Sequence, residues 1–269
     1  MRRLAVALLA VYALLALAPA GLGGWDRPGS GPAFAPPSPA HWAGTDQVGR
    51  DVLLGAVLGV RTALRVGLLA AGVALLVGAA LGLLAGWRGG AWDRAVLLAT
   101  TWVSAVPSLL LLLVLAFLFG GGTTGVFLAV GLVSWVGVSR LVRAEVRRLR
   151  AAPFLEAARA QGGGGFLLLR RHVLPHLAPL CAVQFALVFV GAVKAEVVLS
   201  FLGIGLESAP SWGRMIADAW AFDDLGQGRP WRLLLATLFM AGLVAALHLW
   251  AERVDEGRAA RGEGDGLAP

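Results

Sequence analysis

The sequence predicts an all-α polytopic membrane protein with about six transmembrane helices and both termini in the cytoplasm. Of its 269 residues, 58% are hydrophobic and 14% are charged, whereas soluble domains contain about 25% charged residues. A soluble fold with this composition would expose large apolar patches. Lipid removes that constraint, because six helices of about 20 residues would hold about 120 positions in hydrocarbon. The composition therefore indicates a multi-pass integral membrane protein.

Six apolar runs are the candidate helices. Five are long enough to cross ~30 Å of hydrocarbon, allowing for breaks and tilt. The first is shorter and follows Arg2 and Arg3, which leaves two interpretations open: a signal peptide cleaved near Ala18, or a signal-anchor-like first helix over residues 1–22. The runs are Leu4–Ala18, Leu64–Ala85, Ala95–Phe119, Val126–Val142, Leu177–Ile204 and Leu233–Trp250.

Arginine placement sets the orientation. With the N-terminus inside, the inner segments contain 15 arginines and the outer segments seven, as the positive-inside rule requires. The net charge of +7 is then explained by anchoring at the cytoplasmic membrane surface, and nucleic acid is not an expected partner. The single cysteine excludes an intrachain disulfide and a cysteine-rich metal site.

Three further parts follow the first helix. Residues 23–60 are predicted to form an external linker and interfacial segment, because 29–39 are rich in proline and lack periodicity. Residues 61–250 form a five-helix core, in which the glycines and threonines of 120–125 make a tight outer turn. The tail, 251–269, is polar and glycine-rich, which predicts disorder in the cytoplasm.

The cytoplasmic loop at 140–175 carries the strongest motif. Glu156-Ala157-Ala158 is followed by Gly162 and then by Leu174-Pro175. Small alanines let a short helix lie close to a partner surface, and Gly162 permits the left-handed residue that ends such a helix. Pro175 is suited to the start of the next membrane helix. We therefore expect two short helices at the membrane surface that insert into a groove on a cytoplasmic partner.

Three more motifs occur in order along residues 41–250. They are Gly44-Thr45-Asp46-Gln47-Val48-Gly49-Arg50-Asp51, the turn Gly86-Trp87-Arg88-Gly89-Gly90, and Ser200-Phe201-Leu202-Gly203-Ile204-Gly205 followed by Pro210-Ser211-Trp212-Gly213. The cytoplasmic loop resembles the EAA loop of ABC transporter permeases. Taken with this loop, the three motifs resemble the dipeptide/oligopeptide/nickel importer family of these permeases, in particular its second (C-type) permease subunit. The resemblance implies a type I ABC importer permease fold and favours a retained first helix.

The resemblance also implies a function. The chain would form half of a translocation pathway for peptides or a related small solute such as nickel. Its partners would be a homologous permease subunit, two cytoplasmic ABC ATPase subunits, an extracytoplasmic solute-binding protein and membrane lipid. The residues expected to couple to the ATPases are Glu156, Ala157, Ala158, Gly162, Leu174 and Pro175. The external family segment supplies Gly44, Thr45, Asp46, Gly49, Arg50 and Asp51.

The sequence after Gly162 departs from the family, which usually has small and polar residues where Gly163-Gly164-Gly165 stand here. Because serine or aspartate would cap the second short helix and glycine weakens it, we expect a delayed or loosened first turn. His172 and His176 form an i, i+4 pair. No third ligand is evident nearby, so we interpret them as surface histidines and predict no metal site.

Two charges and a proline lie within the apolar runs. Lys194 and Glu196 follow Pro175 by about 30 Å along a helix axis, and charges within a span usually face a cavity or a partner. We expect Glu196 to face the translocation pathway or the subunit interface, and Lys194 to snorkel outward. Pro107 is expected to kink the third helix, either for packing or as a gate in the pathway.

The outer loop between Glu207 and Arg232 is rich in tryptophan and aspartate. Anchoring in the aromatic belt explains most of its tryptophans, which are Trp212, Trp220 and Trp231. A docking surface for an extracytoplasmic binding protein is the alternative interpretation.

Catalysis is not expected from this chain. Its only lysine, Lys194, lies in an apolar run, so no phosphate-binding Walker A loop exists. ATP and magnesium are therefore expected in the partner ATPase subunits, with no cofactor bound here. The His-Glu-x-x-His motif of intramembrane metalloproteases is also absent. A channel or secondary transporter without an ATPase stays open as the alternative.

Overall fold

A computed structural model of the chain describes residues 2–17, 29, 31–205 and 209–265, with side chains between residues 5 and 254. Within these ranges the structure is almost entirely α-helical, so the predicted all-α class is confirmed. The helices are α1 (Arg2–Ala16), α2 (Val52–Arg88), α3 (Gly90–Ala105), α4 (Ser108–Leu118), α5 (Gly122–Arg150), α6 (Pro153–Ala160), α7 (Gly165–Leu168), α8 (Leu174–Phe201), α9 (Trp212–Ala221) and α10 (Trp231–Asp265).

Five of the apolar runs predicted from the sequence each fall mainly within one helical stretch, and the run Ala95–Phe119 is divided between α3 and α4. Among the described residues, four helical stretches are long and apolar enough to cross a membrane: α2, α5, the stretch from α7 to α8, and α10 up to Val254. Helices α3 and α4 count as a fifth span if taken together, and α1 contributes a shorter apolar helix, Ala5–Ala16. The proposed signal-peptide site falls partly outside the described residues. We call the end of the bundle that contains α6 the inner end and the end that contains α9 the outer end.

Helix α2 has 37 residues, as many as the stretch from α7 to α8. It begins at Val52, earlier than the apolar run at Leu64, because the Asp51 carboxylate caps it by accepting a hydrogen bond from the Leu54 amide at 2.9 Å. The predicted external segment 23–60 is therefore helical from residue 52. With 37 residues, α2 is about 55 Å long. It therefore extends well beyond ~30 Å of hydrocarbon at one or both ends.

Helix α5 packs directly against α2 because α2 has glycines four residues apart along the contact. Gly78, Gly82 and Gly86 all face α5. A Cβ on Gly78 would lie 2.6 Å from the Cβ of Val138, and one on Gly86 would lie 2.8 Å from the Cβ of Val146. Small residues at this spacing allow two membrane helices to approach backbone to backbone. We call this contact the glycine seam.

The third span is broken at Pro107, as predicted. Helix α3 ends at Ala105, and Val106 is extended, with φ −90° and ψ 133°. A residue before proline avoids the helical region, and the proline itself has no N–H for the helix ladder. The axes of α3 and α4 consequently differ by 93°. This is a change of direction, much larger than the kink that we expected.

The C-terminal part of the chain continues the last helix. Helix α10 runs to Asp265, into the tail for which the sequence predicts disorder, and that disorder stays a prediction. Extending an existing helix adds a hydrogen bond for each residue that is fixed and needs no new nucleus. Residues 266–269 lie outside the described residues. At the other end of the chain, α1 packs on α10, where the Tyr12 hydroxyl donates a hydrogen bond to the Phe239 carbonyl oxygen at 2.8 Å.

We predict that Gly82→Ala destabilises the bundle. The new Cβ would lie 2.6 Å from the Ser139 carbonyl oxygen and 3.0 Å from the Val142 Cβ, so α2 and α5 must separate at a cost of about 1–3 kcal/mol. Thermal unfolding in detergent should show a Tm lower by about 2–10 °C. The control is Gly72→Ala, because nothing lies within 4 Å of a Cβ at that position. Equal Tm values for the two variants would contradict close packing at the seam.

Candidate functional site: the inner hook and the outer cap

The inner hook consists of α6, the turn 161–164 and α7. Helix α6 begins at Pro153, which occupies the first turn where its missing N–H costs nothing. It ends at Ala160, and Gly162 adopts φ +84°. The amides of Gly162 and Gly163 then donate to the carbonyl oxygens of Arg159 (2.9 Å) and Ala158 (3.2 Å). The left-handed residue predicted at Gly162 is therefore confirmed, and it turns the chain from α6 towards α7.

The three glycines after Gly162 delay the next helix, as expected. Gly163 and Gly164 are not helical, and α7 begins at Gly165 with no side-chain cap. After α7 the chain forms a π-helical turn over Leu169–Val173, in which the Leu174 amide donates to the Leu169 carbonyl oxygen. The second short helix is thus weakly initiated and widens after its first turn.

The expectation of two separate short helices is wrong in one respect. Pro175 lies in the first turn of α8, as predicted, but Gly165–Phe201 form one continuous helical stretch, so α7 is joined to α8 and is not a separate short helix. The wider π turn immediately precedes α8, where proline offers no N–H and its ring crowds the carbonyl of the preceding turn. The predicted loop is also shorter than 140–175, because α5 continues to Arg150.

The hook has one buried face and one open face. Leu155, Leu168 and Val173 are at most 2% exposed and pack with residues of α5 and α8. Four large apolar side chains point away from this core: Phe154 (41% exposed), Phe166 (77%), Leu167 (54%) and Leu174 (44%). Of the predicted coupling residues, Ala158 is half-buried and the others are exposed: Glu156, Ala157, Gly162, Leu174 and Pro175. One face of the hook therefore packs against α5 and α8, and its other face is free to bind a partner.

The two histidines pack on the hook. The His176 ring stacks on Phe154, with 5.4 Å between ring centroids, and the His172 ring lies 6.3 Å from the same side chain. His176 Nδ1 is 2.6 Å from the His172 carbonyl oxygen. These contacts give the pair a packing role beside the aromatic ring that α6 presents.

At the outer end, the family segment folds into a tight turn that starts α2. Asp46 is 7% exposed, and its carboxylate accepts hydrogen bonds from the amides of Val48 (2.9 Å) and Arg50 (2.8 Å). Gly49 adopts φ +77° inside this turn. Asp51 both caps α2 and contacts His41, with 3.0 Å between Oδ2 and Nδ1. The segment is therefore a folded structural unit.

Two further residues of the segment join it to the proline-rich stretch before it. Thr45 Oγ1 accepts a hydrogen bond from the Ala35 amide at 2.8 Å. Gly44 adopts φ +72°, and its carbonyl oxygen accepts from the Val52 amide at 3.1 Å. These bonds fix the proline-rich stretch against the first turn of α2.

Gln47 connects this segment to the end of the chain. Its side-chain amide donates to Asp218 of α9 at 3.1 Å and accepts from the Arg232 guanidinium of α10. Arg232 also makes a two-pronged ion pair with Asp224, with N···O distances of 2.6 and 2.9 Å. Arg232 is 4% exposed and Asp224 is 1% exposed. We call these residues together with the turn 44–51 the outer cap.

Trp212 corrects the aromatic-belt prediction. It is 1% exposed, and its indole N–H donates to the Ala56 carbonyl oxygen of α2 at 2.9 Å. Thr62 makes a parallel contact, donating to the Pro210 carbonyl oxygen at 2.8 Å. Trp212 is therefore a packing residue between α9 and α2. Trp220 and Trp231 are 81% and 40% exposed, as a belt position requires.

Glu196 also differs from expectation. It is 1% exposed within the fold of this chain, so its side chain lines neither an open pathway nor a free subunit surface in this conformation. Its carboxylate accepts a hydrogen bond from Ser200 Oγ, one helical turn away, at 2.7 Å. Burial among neighbours of the same chain becomes tolerable once the polar atoms are paired. Lys194 is exposed on another face of α8.

Two clusters that the structure brings together are not expected from the sequence analysis. One is the set of outer-cap contacts of Gln47 and Arg232, which lie 185 residues apart and leave no local signal. The other is the glycine seam, whose spacing of four residues was visible in Gly78, Gly82 and Gly86 and is a known signal for close helix packing.

The long apolar helices of the bundle are those of an integral membrane protein. The family described as "Binding-protein-dependent transport system inner membrane component" matches residues 78–259. The chain belongs to this family.

Two similar proteins are named as permeases of peptide transport systems. The chain is 32% identical to the "Dipeptide transport system permease protein DppC" of Bacillus subtilis (strain 168), over 82% of this chain and 69% of that protein. It is 32% identical to the "Oligopeptide transport system permease protein OppC" of Haemophilus influenzae, over 74% of this chain and 64% of that protein. The chain thus spans about two thirds of the length of these relatives.

A solved structure shares the fold. The permease fold in "Inward facing conformations of the MetNI methionine ABC transporter" superposes with a TM-score of 0.60 at 16% identity, covering 76% of this chain and 96% of that chain. The type I importer fold predicted from the motifs is therefore confirmed, although sequence identity is low.

We predict that Asp224→Asn destabilises the outer cap. It would leave the Arg232 guanidinium, which is 4% exposed, buried without its counter-charge, at a cost of about 3–5 kcal/mol. Limited proteolysis of the purified protein should show faster cleavage in the region around α9. Asp223→Asn is the matched control, since Asp223 is the exposed neighbour of Asp224. Its φ is +46°, a conformation that asparagine tolerates as well as aspartate does. Identical cleavage rates in both variants would show that the ion pair does not hold the cap.

Proposed function

We propose that this chain is the membrane-spanning permease subunit of an ATP-driven importer and that the inner hook couples it to separate ATPase subunits. The chain would form half of the translocation pathway, with a homologous permease subunit as the other half. An extracytoplasmic solute-binding protein would deliver the solute. ATP and magnesium would be bound by two ATPase subunits, because this chain has no Walker A loop.

The observation that carries the proposal is the open apolar face of the hook. An exposed cluster of large apolar side chains marks an interaction site, and Phe154, Phe166 and Leu167 form such a cluster at the inner end. The core beneath them fixes α6 and α7 relative to α5 and α8. A partner that binds this face can therefore apply force to the bundle without first having to order the hook.

Because α7 is continuous with α8, a force on the hook would be transmitted along α8. A displacement of the hook moves a helical stretch that runs without interruption from Gly165 to Phe201. At its far end, this stretch packs against α9, where a Cβ on Gly213 would lie 2.7 Å from the Cβ of Ser200. Closure of the ATPase pair on binding ATP would in this way move α8 and α9 together and switch the pathway between inward and outward openings.

The solute is proposed to be a peptide or a related small molecule. The relatives named above are permeases for dipeptides and oligopeptides, and a further relative is the "Glutathione transport system permease protein GsiD" of Pectobacterium atrosepticum, at 34% identity over 68% of this chain and 61% of that protein. These names support a solute of the peptide class. The solute-binding protein would determine which peptide is transported.

The first test is capture of the ATPase subunits. We expect Phe166→Asp to lower co-purification of the ATPases with this chain by about tenfold or more, because it places a charge in the apolar interface. Leu225→Asp is the control: it makes the same kind of change at a residue that is 62% exposed but lies between α9 and α10 at the outer end. Undiminished capture by the Phe166 variant would rule out the hook as the docking site.

The second test concerns the turn at Gly162. Gly162→Leu forces a side chain onto a residue with φ +84°, which costs about 1–2 kcal/mol and should lower the docked population about tenfold. We expect ATP-driven uptake of a mixture of di- and tripeptides into proteoliposomes to fall accordingly. Gly120→Leu is the control, since it places a side chain at a similar φ of +82° with nothing within 4 Å of a Cβ, but in the turn between α4 and α5, away from the hook. If ATPase docking and uptake both survived in Gly162→Leu, the turn would have no part in transmission.

A further inference from the structure

Trp87 lies where the inner end of α2 meets the hook. Its half-buried ring belongs to the apolar cluster that also contains Val146, Leu149 and Leu155. Two guanidinium groups lie at this ring: the Cζ of Arg150 is 5.9 Å from the ring centroid, and the Cζ of Arg159 is 6.0 Å from it. Both distances fall within the range of cation–π attraction, for which tryptophan is the strongest partner.

The two arginines come from different elements. Arg159 is in α6, directly after Glu156-Ala157-Ala158. Arg150 is the last residue of α5, and its Nη1 also donates to the Gly86 carbonyl oxygen at 3.1 Å. The Trp87 ring therefore joins the hook, the end of α5 and the end of α2 in one contact.

Helix α2 can carry a displacement from this contact to the outer cap. It is unbroken over its 37 residues, and near its outer end it is fixed by the Asp51 cap and by Trp212, whose indole bonds to the Ala56 carbonyl oxygen. Gly89, between α2 and α3, and Gly90, the first residue of α3, both adopt positive φ, so α3 is a separate helix and not a continuation of α2.

We propose that Trp87 is a positioning residue that clamps α2 to the hook, so that a stroke on α6 moves the outer cap through α2 as well as through α8. This inference rests on the proposed coupling function. It adds a second route, because α8 is covalently continuous with the hook whereas α2 is joined to it only by side-chain contacts. The planar ring accepts both guanidinium groups on its π surface, which a tyrosine would preserve and a leucine would remove.

The experiment uses the whole importer, with its ATPase subunits, in nanodiscs. The parent chain carries Cys181→Ser and Gln227→Cys; Gln227 is an exposed residue beside the outer cap, and the labelling rate of the new thiol with a membrane-impermeant maleimide reports on the cap. The rate is measured without nucleotide and after trapping with magnesium, ATP and vanadate. ATPase co-purification and the rate of ATP hydrolysis are recorded for every variant.

We expect nucleotide trapping to change the labelling rate in the parent and in Trp87→Tyr, and Trp87→Leu to reduce this change by about threefold to tenfold while the ATPases still co-purify. If Trp87→Leu does not fold, Arg159→Gln keeps the ring and removes the exposed cation from α6; it should also reduce the change. A full nucleotide response in the leucine or the glutamine variant, or no response in the parent, would overturn the proposal. Loss of ATPase capture in the parent would instead contradict the proposed function itself.

Discussion

The glycine seam between α2 and α5 is the contact on which the rest of the bundle depends. Lipid supplies no hydrophobic force between helices, so close backbone approach and dispersion must hold them together. Gly82 brings the α2 backbone within reach of the Ser139 carbonyl oxygen. Because α2 is fixed against α5 in this way, the inner end of α2 lies beside the hook, which begins just after α5 ends.

The inner hook and the outer cap differ in how they hold their side chains. At the outer end, charged side chains are buried but satisfy one another, as Arg232 and Asp224 do. At the inner end, apolar side chains such as Phe166 are exposed. A paired buried network is complete without a partner and costly to open, whereas an exposed apolar face is incomplete until it is covered. Assembly is therefore expected at the inner end, while the outer cap holds its own shape.

The sequence could predict what depends on local composition. Apolar length located the spans, and Gly162 marked the left-handed turn, because both signals act within a few residues. It did not predict where tertiary contacts override local preference. Pro175 is a local helix breaker, yet Leu168 and Val173 before it are buried, and α7 continues through the π turn into α8 as one helical stretch. The contact between Gln47 and Arg232 had no local signal because its partners are 185 residues apart.

Glu196 is a single residue whose environment could not be predicted from the local sequence. A charge in a membrane helix was interpreted as facing a pathway, since an unpaired carboxylate in lipid is costly. Ser200, four residues later on the same face, offered a local alternative that the charge alone did not reveal. The hydrogen bond between them lies where α8 meets α9, so the buried polar pair belongs to the joint between these helices. Both partners of this bond are in α8, so the bond itself survives any displacement of that helix. What a displacement of α8 alone would disturb is the close packing of Gly213 in α9, where an added Cβ would lie 2.7 Å from the Ser200 Cβ. Movement of α8 with α9 as one body is the route that keeps this close contact intact.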